Sequence, residues 1–222
     1  MVIKSGKFKY LRDIFVRSRY EQTLSKSIVE IIKKNNFKKK LKILDYGSGI
    51  EPSLIQLIKK QLSKEFIDVI SHGYDFYDDE QIAKLKNKQK KEFYFKTSEL
   101  NNSKEIYDFA IISDVLHHMD VENITLIKKT LNMIKSKSNY IIIKDHFQYG
   151  IASNQFLRFL DFFGNLNSDI KTPKKYFSVE QFNKIISDLN LSLKYKILNN
   201  RYHPKFLLFL SNPKYHFIYL LE

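Results

Sequence analysis

The chain has 222 residues, 43% of them apolar, which suits one domain with a substantial core and excludes disorder as its overall state. It contains no cysteine, so disulfides, thiolate metal sites and cysteine nucleophiles are excluded. The net charge is +14, yet only five of the 38 cationic residues are arginine, the preferred reader of phosphates and guanine edges. The surplus is lysine, as in Lys38-Lys39-Lys40 and Lys84–Lys91, next to predicted element ends. It reads as a solvated surface, with an anionic partner such as RNA or a peripheral membrane face as the alternative. No apolar run reaches the roughly 18 residues of a spanning helix, and Met1–Lys7 has no apolar signal core. A cytoplasmic location is expected.

In chain order, residues 7–35 carry apolar positions at three- and four-residue spacing and predict a helical segment, within an N-terminal region 1–38. Leu41–Leu44 predicts a buried first strand, Ser53–Leu62 a helix, and Ile67–Tyr74 a second strand ending at Asp75. A polar helix over Asp79–Asn87, a short strand at Phe93–Phe95 and a fourth strand at Tyr107–Ile112 follow, then a helix over Glu122–Lys135. Tyr140–Ile143 is an uninterrupted apolar run of the type buried on both faces of a parallel sheet. Residues 147–177 break the alternation with aromatics, glycines and Pro173 and are too apolar for a linker, which suggests a lid over the active site. Ser178-Val179-Glu180-Gln181 predicts a capping box opening a helix to about Asn190. Leu191–Leu198 and Phe206–Leu210 are expected to close the chain as an antiparallel hairpin. The alternation of strands and helices predicts a single α/β domain, doubly wound around a mostly parallel sheet.

Chemistry concentrates at Ile43-Leu44-Asp45-Tyr46-Gly47-Ser48-Gly49, where a strand ends on a carboxylate and two glycines precede a helix. Glycine lets backbone turn tightly and approach a ligand closely, as open α/β folds require when they hold an adenosine-containing cofactor. Glu51 and Pro52 occupy the stretch where a dinucleotide fingerprint would reach its third glycine. Pro52 suits a first helical turn. Glu51 puts negative charge where a helix N-terminus would otherwise receive a pyrophosphate. That arrangement repels NAD and suits a ligand with ammonium and sulfonium groups, favouring S-adenosylmethionine.

Asp45-x-Gly47-x-Gly49 after the first strand, Asp75 after the second, and the Tyr107–His118 stretch (YDFAIISDVLHH) at the fourth together resemble the class I S-adenosylmethionine-dependent methyltransferases, in particular their small-molecule branch. The resemblance covers about residues 40–147 and implies a Rossmann-like, seven-stranded sheet with an antiparallel C-terminal hairpin. It departs from the family pattern at Glu51 and at Thr97-Ser98-Glu99, where the acidic residue that often binds adenine is missing.

The resemblance implies that Gly47 and Gly49 let backbone approach the methionine portion of the cofactor, that Asp45 lies near its ammonium group, and that Asp75 accepts from the ribose hydroxyls. Ser113 and Asp114 would form the loop alongside it. His117 and His118 would begin the next helix, with His118 a candidate catalytic group. His146, just beyond the fifth strand, has the titration range of a base for a hydroxyl or ammonium proton. No His-Glu-x-x-His, phosphate-binding Gly-Lys-Ser/Thr or metal-ligand cluster is recognisable. The expected function is methyl transfer to a small organic acceptor, amphipathic or lipid-linked, with oxygen preferred as the acceptor atom. The alternatives are an RNA methyltransferase, favoured by charge but lacking base-reading motifs, and a non-catalytic cofactor-binding interaction module.

Overall fold

Two strands that are apolar on both faces set the centre of the sheet. Phe109–Ile112 and Ile141–Ile143 expose 1% or less of each side chain, so both must be flanked by strands and covered by helices on either side. The computed structural model describes residues 18–35, 39–49, 52–64, 68–86, 92–119, 121–165, 171–202 and 212–222. In chain order they form α1 (Ser18–Asn35), β1 (Lys40–Tyr46), α2 (Ser53–Leu62), β2 (Asp68–Asp75), α3 (Asp79–Lys86), β3 (Glu92–Lys96), β4 (Tyr107–Ser113), α4 (Ile124–Lys135), β5 (Ser138–His146), α5 (Ile151–Gly164), α6 (Val179–Asp188), β6 (Leu193–Leu198) and β7 (His216–Leu221).

The seven strands lie in the order β3-β2-β1-β4-β5-β7-β6, all parallel except that β7 runs antiparallel to both neighbours. The order reverses between β1 and β4, which places a crevice at their C-terminal ends where ligands of open α/β sheets bind. Side chains alternate across the sheet with the period of two that strand geometry imposes. Leu44, Tyr46, Ala110, Ile112, Ile141 and Ile143 pack towards α4 and α6. Ile43, Phe109, Ile111 and Ile142 pack towards α1 and α2. The result is a three-layer sandwich, doubly wound as expected.

Three local expectations are modified, and a fourth, the N-terminal helix, is described only in part. The C-terminal partner of β6 is β7, whose six residues are all buried, and it is inserted between β5 and β6. Phe206–Leu210, expected to be that strand, lies outside the described residues. The all-apolar Phe217–Leu221 suits an interior position, whereas β6, with Lys194 and Lys196, suits an edge. The described N-terminal helix starts at Ser18, and residues 7–17 fall outside the description. Only half of the capping box forms: Ser178 accepts from the Gln181 backbone at 3.1 Å, but the Gln181 side chain donates to the Val121 carbonyl instead of closing on Ser178. His117 and His118 sit on a separate 3-10 turn, Leu116–His118, ahead of α4. Among the described residues, no helix is long and apolar enough to cross a membrane.

Candidate active site

The loop after β1 turns through two left-handed glycines, Gly47 at φ 78° and Gly49 at φ 71°, conformations that an L side chain resists. Their surroundings differ. A Cβ on Gly47 would come within 2.3 Å of Val115 Cγ2, so this glycine lets the loops after β1 and β4 touch. A Cβ on Gly49 would meet nothing within 4 Å and would project into open space. Close approach of a ligand to backbone is therefore available at Gly49, while at Gly47 the space belongs to Val115.

Asp75, at the end of β2, ties the loop down: Oδ2 accepts from the Gly49 backbone at 2.7 Å and Oδ1 from that of Phe76 at 2.7 Å. A carboxylate offers about four lone-pair sites, so two such bonds leave acceptor capacity. Tyr77 braces the same loop, its hydroxyl donating to the Gly49 carbonyl at 2.7 Å and lying 2.6 Å from Ser48 Oγ. Phe76 is 87% exposed beside Asp75. Its position next to the strand-end carboxylate is visible in the sequence, whereas its exposure is not.

Asp45 is 6% exposed, and its carboxylate makes no hydrogen bond among the described residues. Burial, together with the negative charge of Asp75, lifts its pKa to about 7. A buried acid without a partner is completed by a cationic ligand group, so this position fits an ammonium.

On the other side of the crevice, the β4–β5 register pairs Ser113 with Lys144 and lines up a set of charges. Lys144 is fully buried and bonds Asp114 Oδ1. Its ammonium also sits 4.8 Å from the Tyr20 ring centroid and 5.7 Å from that of Tyr202, a cation–π arrangement. Tyr20, from α1, donates to Asp114 Oδ2 at 2.8 Å. Asp114 is itself left-handed, φ 56°. Burial pushes its carboxyl up, but Lys144 and then His146 outweigh that and hold it below the usual range. The Asp114 side chain is thus committed to this network, and Ser113 Oγ reaches it only at 3.4 Å.

His146 lies against the network with its side chain 18% exposed. Its Nδ1 is 3.3 Å from Asp114 Oδ1 and its Nε2 is 3.5 Å from Lys144 Nζ. Burial and then Lys144 lower its pKa, so the ring is neutral at pH 7. Behind it, Asp145 Oδ1 accepts from His117 Nδ1 at 2.6 Å and from the His146 backbone at 2.7 Å. Burial disfavours charge on His117, but Asp145 dominates and carries its pKa up to about 10, making the two a buried ion pair. His118 is tied elsewhere: its Nδ1 lies 3.3 Å from the Lys171 carbonyl.

From the segment 147–177, Tyr176 stacks on His117 at 5.0 Å and meets His146 edge-on at 6.0 Å, and Leu157 is buried. Phe159 and Phe162 are more than half exposed, and the Phe163 side chain lies outside the described residues. Glu51, on which the electrostatic argument against NAD rests, also lies outside them. Although the sequence shows no metal-ligand cluster, the fold brings together Asp114, His117, Asp145 and His146, and separately His117, His118 and Asp161. Asp161 comes from α5, so no local spacing could have revealed it. Tyr20, Lys144 and Asp145 were equally hidden as partners, since each contact joins elements remote in the chain.

A family model described as a methyltransferase domain matches residues 16–194. The chain belongs to the methyltransferase domain family. It is an enzyme whose cofactor is S-adenosylmethionine. Among solved structures, the methyltransferase is similar to magnesium protoporphyrin IX methyltransferase from Synechocystis with bound SAH, at 16% identity and TM-score 0.59, covering 93% of this chain and 86% of that one. It is similar to a SAM-dependent methyltransferase from Aquifex aeolicus at 16% identity and TM-score 0.55, covering 99% and 98% of the two chains. An O-methyltransferase family 2 protein from Planctomyces limnophilus in complex with apigenin gives 13% identity and TM-score 0.55, covering 82% of this chain and 50% of that one. At these identities the likeness shows the fold. No curated protein matches the sequence significantly.

Proposed function

We propose that this methyltransferase methylates an oxygen atom of a small, amphipathic organic acceptor, with His146 as the base. The observation that carries the reading is the placement of a neutral, partly exposed imidazole at the C-terminal end of β5, against the pair formed by buried Lys144 and partly exposed Asp114. The similar structures include enzymes named for organic small-molecule acceptors, among them the porphyrin methyltransferase and mitomycin 7-O-methyltransferase.

S-adenosylmethionine supplies, when bound, a methyl group made electrophilic by its sulfonium. The chain's own residues would do the rest. Asp45 would meet the ammonium of the methionine portion, Gly49 would let backbone approach it, and Asp75 would accept from the ribose hydroxyls with Phe76 offering a flat apolar face beside them. Ser113 and Val115 would flank the cofactor from the β4 side. His146 Nδ1 lies 3.3 Å from Asp114 Oδ1 and Nε2 lies 3.5 Å from Lys144 Nζ, so the acceptor's hydroxyl would take the place of the Lys144 contact at Nε2 and pass its proton there. Tyr176 and Leu157 would exclude water, which methyl transfer by in-line approach requires. His118, anchored to Lys171, takes no proton in this reading.

The test is turnover with a panel of hydroxylated amphipathic acceptors. His146→Ala should reduce the rate by about 100-fold or more while S-adenosylhomocysteine affinity stays unchanged. Turnover preserved within a few-fold would remove His146 as the base.

A further inference from the structure

We propose that His117 Nε2, His118 Nε2 and a carboxylate oxygen of Asp161 form a binding site for a zinc-like divalent ion that fastens α5 to the turn after β4. The site is independent of the methyl-transfer reading above. Both histidines have their other nitrogen engaged by groups that only accept. His117 Nδ1 donates to the Asp145 carboxylate at 2.6 Å, and His118 Nδ1 faces the Lys171 carbonyl at 3.3 Å. In each ring Nε2 is therefore the atom left to face Asp161, the arrangement by which second-shell acceptors orient metal-ligating histidines.

The spacing suits an ion better than it suits direct hydrogen bonds. Asp161 Oδ1 lies 3.9 Å from His117 Nε2 and 3.7 Å from His118 Nε2, and hydrogen bonds at such distances are not made. Ligands on a tetrahedral ion with bonds of about 2.0–2.1 Å stand about 3.3–3.4 Å apart, so a shift of a few tenths of an ångström brings the carboxylate to each histidine, and the three ligand atoms all lie within 4.8 Å of one another. Asp161 Oδ1 already accepts from Asn165 Nδ2 at 3.0 Å, while Oδ2 is buried and makes no hydrogen bond among the described residues. That orphaned oxygen is the independent sign that something is missing here.

The neighbouring group of Asp114, His117, Asp145 and His146 is a poorer candidate, because the Lys144 ammonium already bonds Asp114 and His117 Nδ1 already bonds Asp145. Two imidazoles and one carboxylate match zinc and its transition-metal neighbours; magnesium and calcium prefer all-oxygen sets. Binding would release the Nε2 proton of His117. Because Asp161 belongs to α5 and the histidines to the turn after β4, the ion would hold the helix over the site.

The measurement is calorimetric titration of zinc, and visible absorption of cobalt, on untagged, chelator-stripped full-length protein without cofactor. One equivalent of zinc should bind, cobalt should show the intense bands of a four-coordinate ion, and magnesium should not compete. His118→Gln and Asp161→Asn, both at partly exposed positions, should each weaken zinc binding by about tenfold or more and abolish the zinc-dependent rise in Tm; His146→Gln should do neither. Absence of a stoichiometric zinc site in the wild type, or binding that survives both substitutions, would overturn the proposal.

Discussion

Asp45 shows how the surroundings can hold a single residue in a poor state. Its carboxyl is buried beside Asp75, and both effects lift its pKa to about 7. A raised acid pKa means that the native state holds a proton the unfolded chain has lost, so stability falls as pH climbs from the ordinary carboxylate range towards 7. Asp45→Asn removes that penalty and should stabilise the ligand-free protein at pH 8, with an upper bound of about 4 kcal/mol, read as a higher Tm. The same change should cost at least tenfold in S-adenosylhomocysteine affinity. In the wild type, affinity should rise with pH, being about 30-fold weaker at pH 5.5 than at pH 8 if only the ionised acid meets the ammonium. A flat calorimetric profile across that window would show that Asp45 does not hold the ligand's cation. Asp45 and Asp75 were legible from sequence because strand-end carboxylates are marked by the strands themselves. Lys144 was visible as a residue but not as a buried cation, since nothing within a few positions of it announces Asp114, Tyr20 or Tyr202.

At the scale of elements, the crevice is shaped by two loops that interlock at Gly47 and Val115. The 2.3 Å approach predicted for a Cβ makes this contact the limit on what residue 47 can be. Gly47→Ala should destabilise the fold by about 1–2 kcal/mol from its left-handed φ alone, and by more from the clash with Val115. Val115→Ala in the same chain should recover the clash component but not the backbone component, a pattern that a double-mutant cycle by chemical denaturation can resolve. Additive losses would mean that the two loops do not press on each other. The glycine pair was legible as a tight turn; which glycine faces open space and which faces Val115 was not. That depends on how close the β4 loop comes, a consequence of β1 and β4 being neighbours. The capping box at Ser178 makes the same point: the serine's role is local and was readable, whereas Gln181 is drawn to Val121 by the docking of α6.

For the whole molecule, the issue is what the +14 charge is for. A surface that binds RNA releases counterions, so log affinity falls linearly and steeply with log salt. Filter-binding across a salt series should find only weak, sequence-independent RNA association that disappears near physiological ionic strength. Nanomolar, sequence-selective binding at that salt would make RNA the acceptor and displace the small-molecule reading.

The sequence by itself determined the three-layer α/β fold, the strand ends at which the proposed site lies, and the family. Those features are written in patterns a few residues long: the uninterrupted apolar runs of the buried strands, the helical spacing of Leu24, Ile28 and Ile31, and glycines where φ must be positive. Tertiary structure alone decided that the final strand is interior and that Lys144 is a buried ion, and it alone joined Asp161 to His117 and His118. These outcomes depend on strand order, on the register that sets Ser113 beside Lys144, and on where α5 comes to rest. Side chains far apart in the chain meet only after all of the packing has been settled, so no local pattern records their meeting.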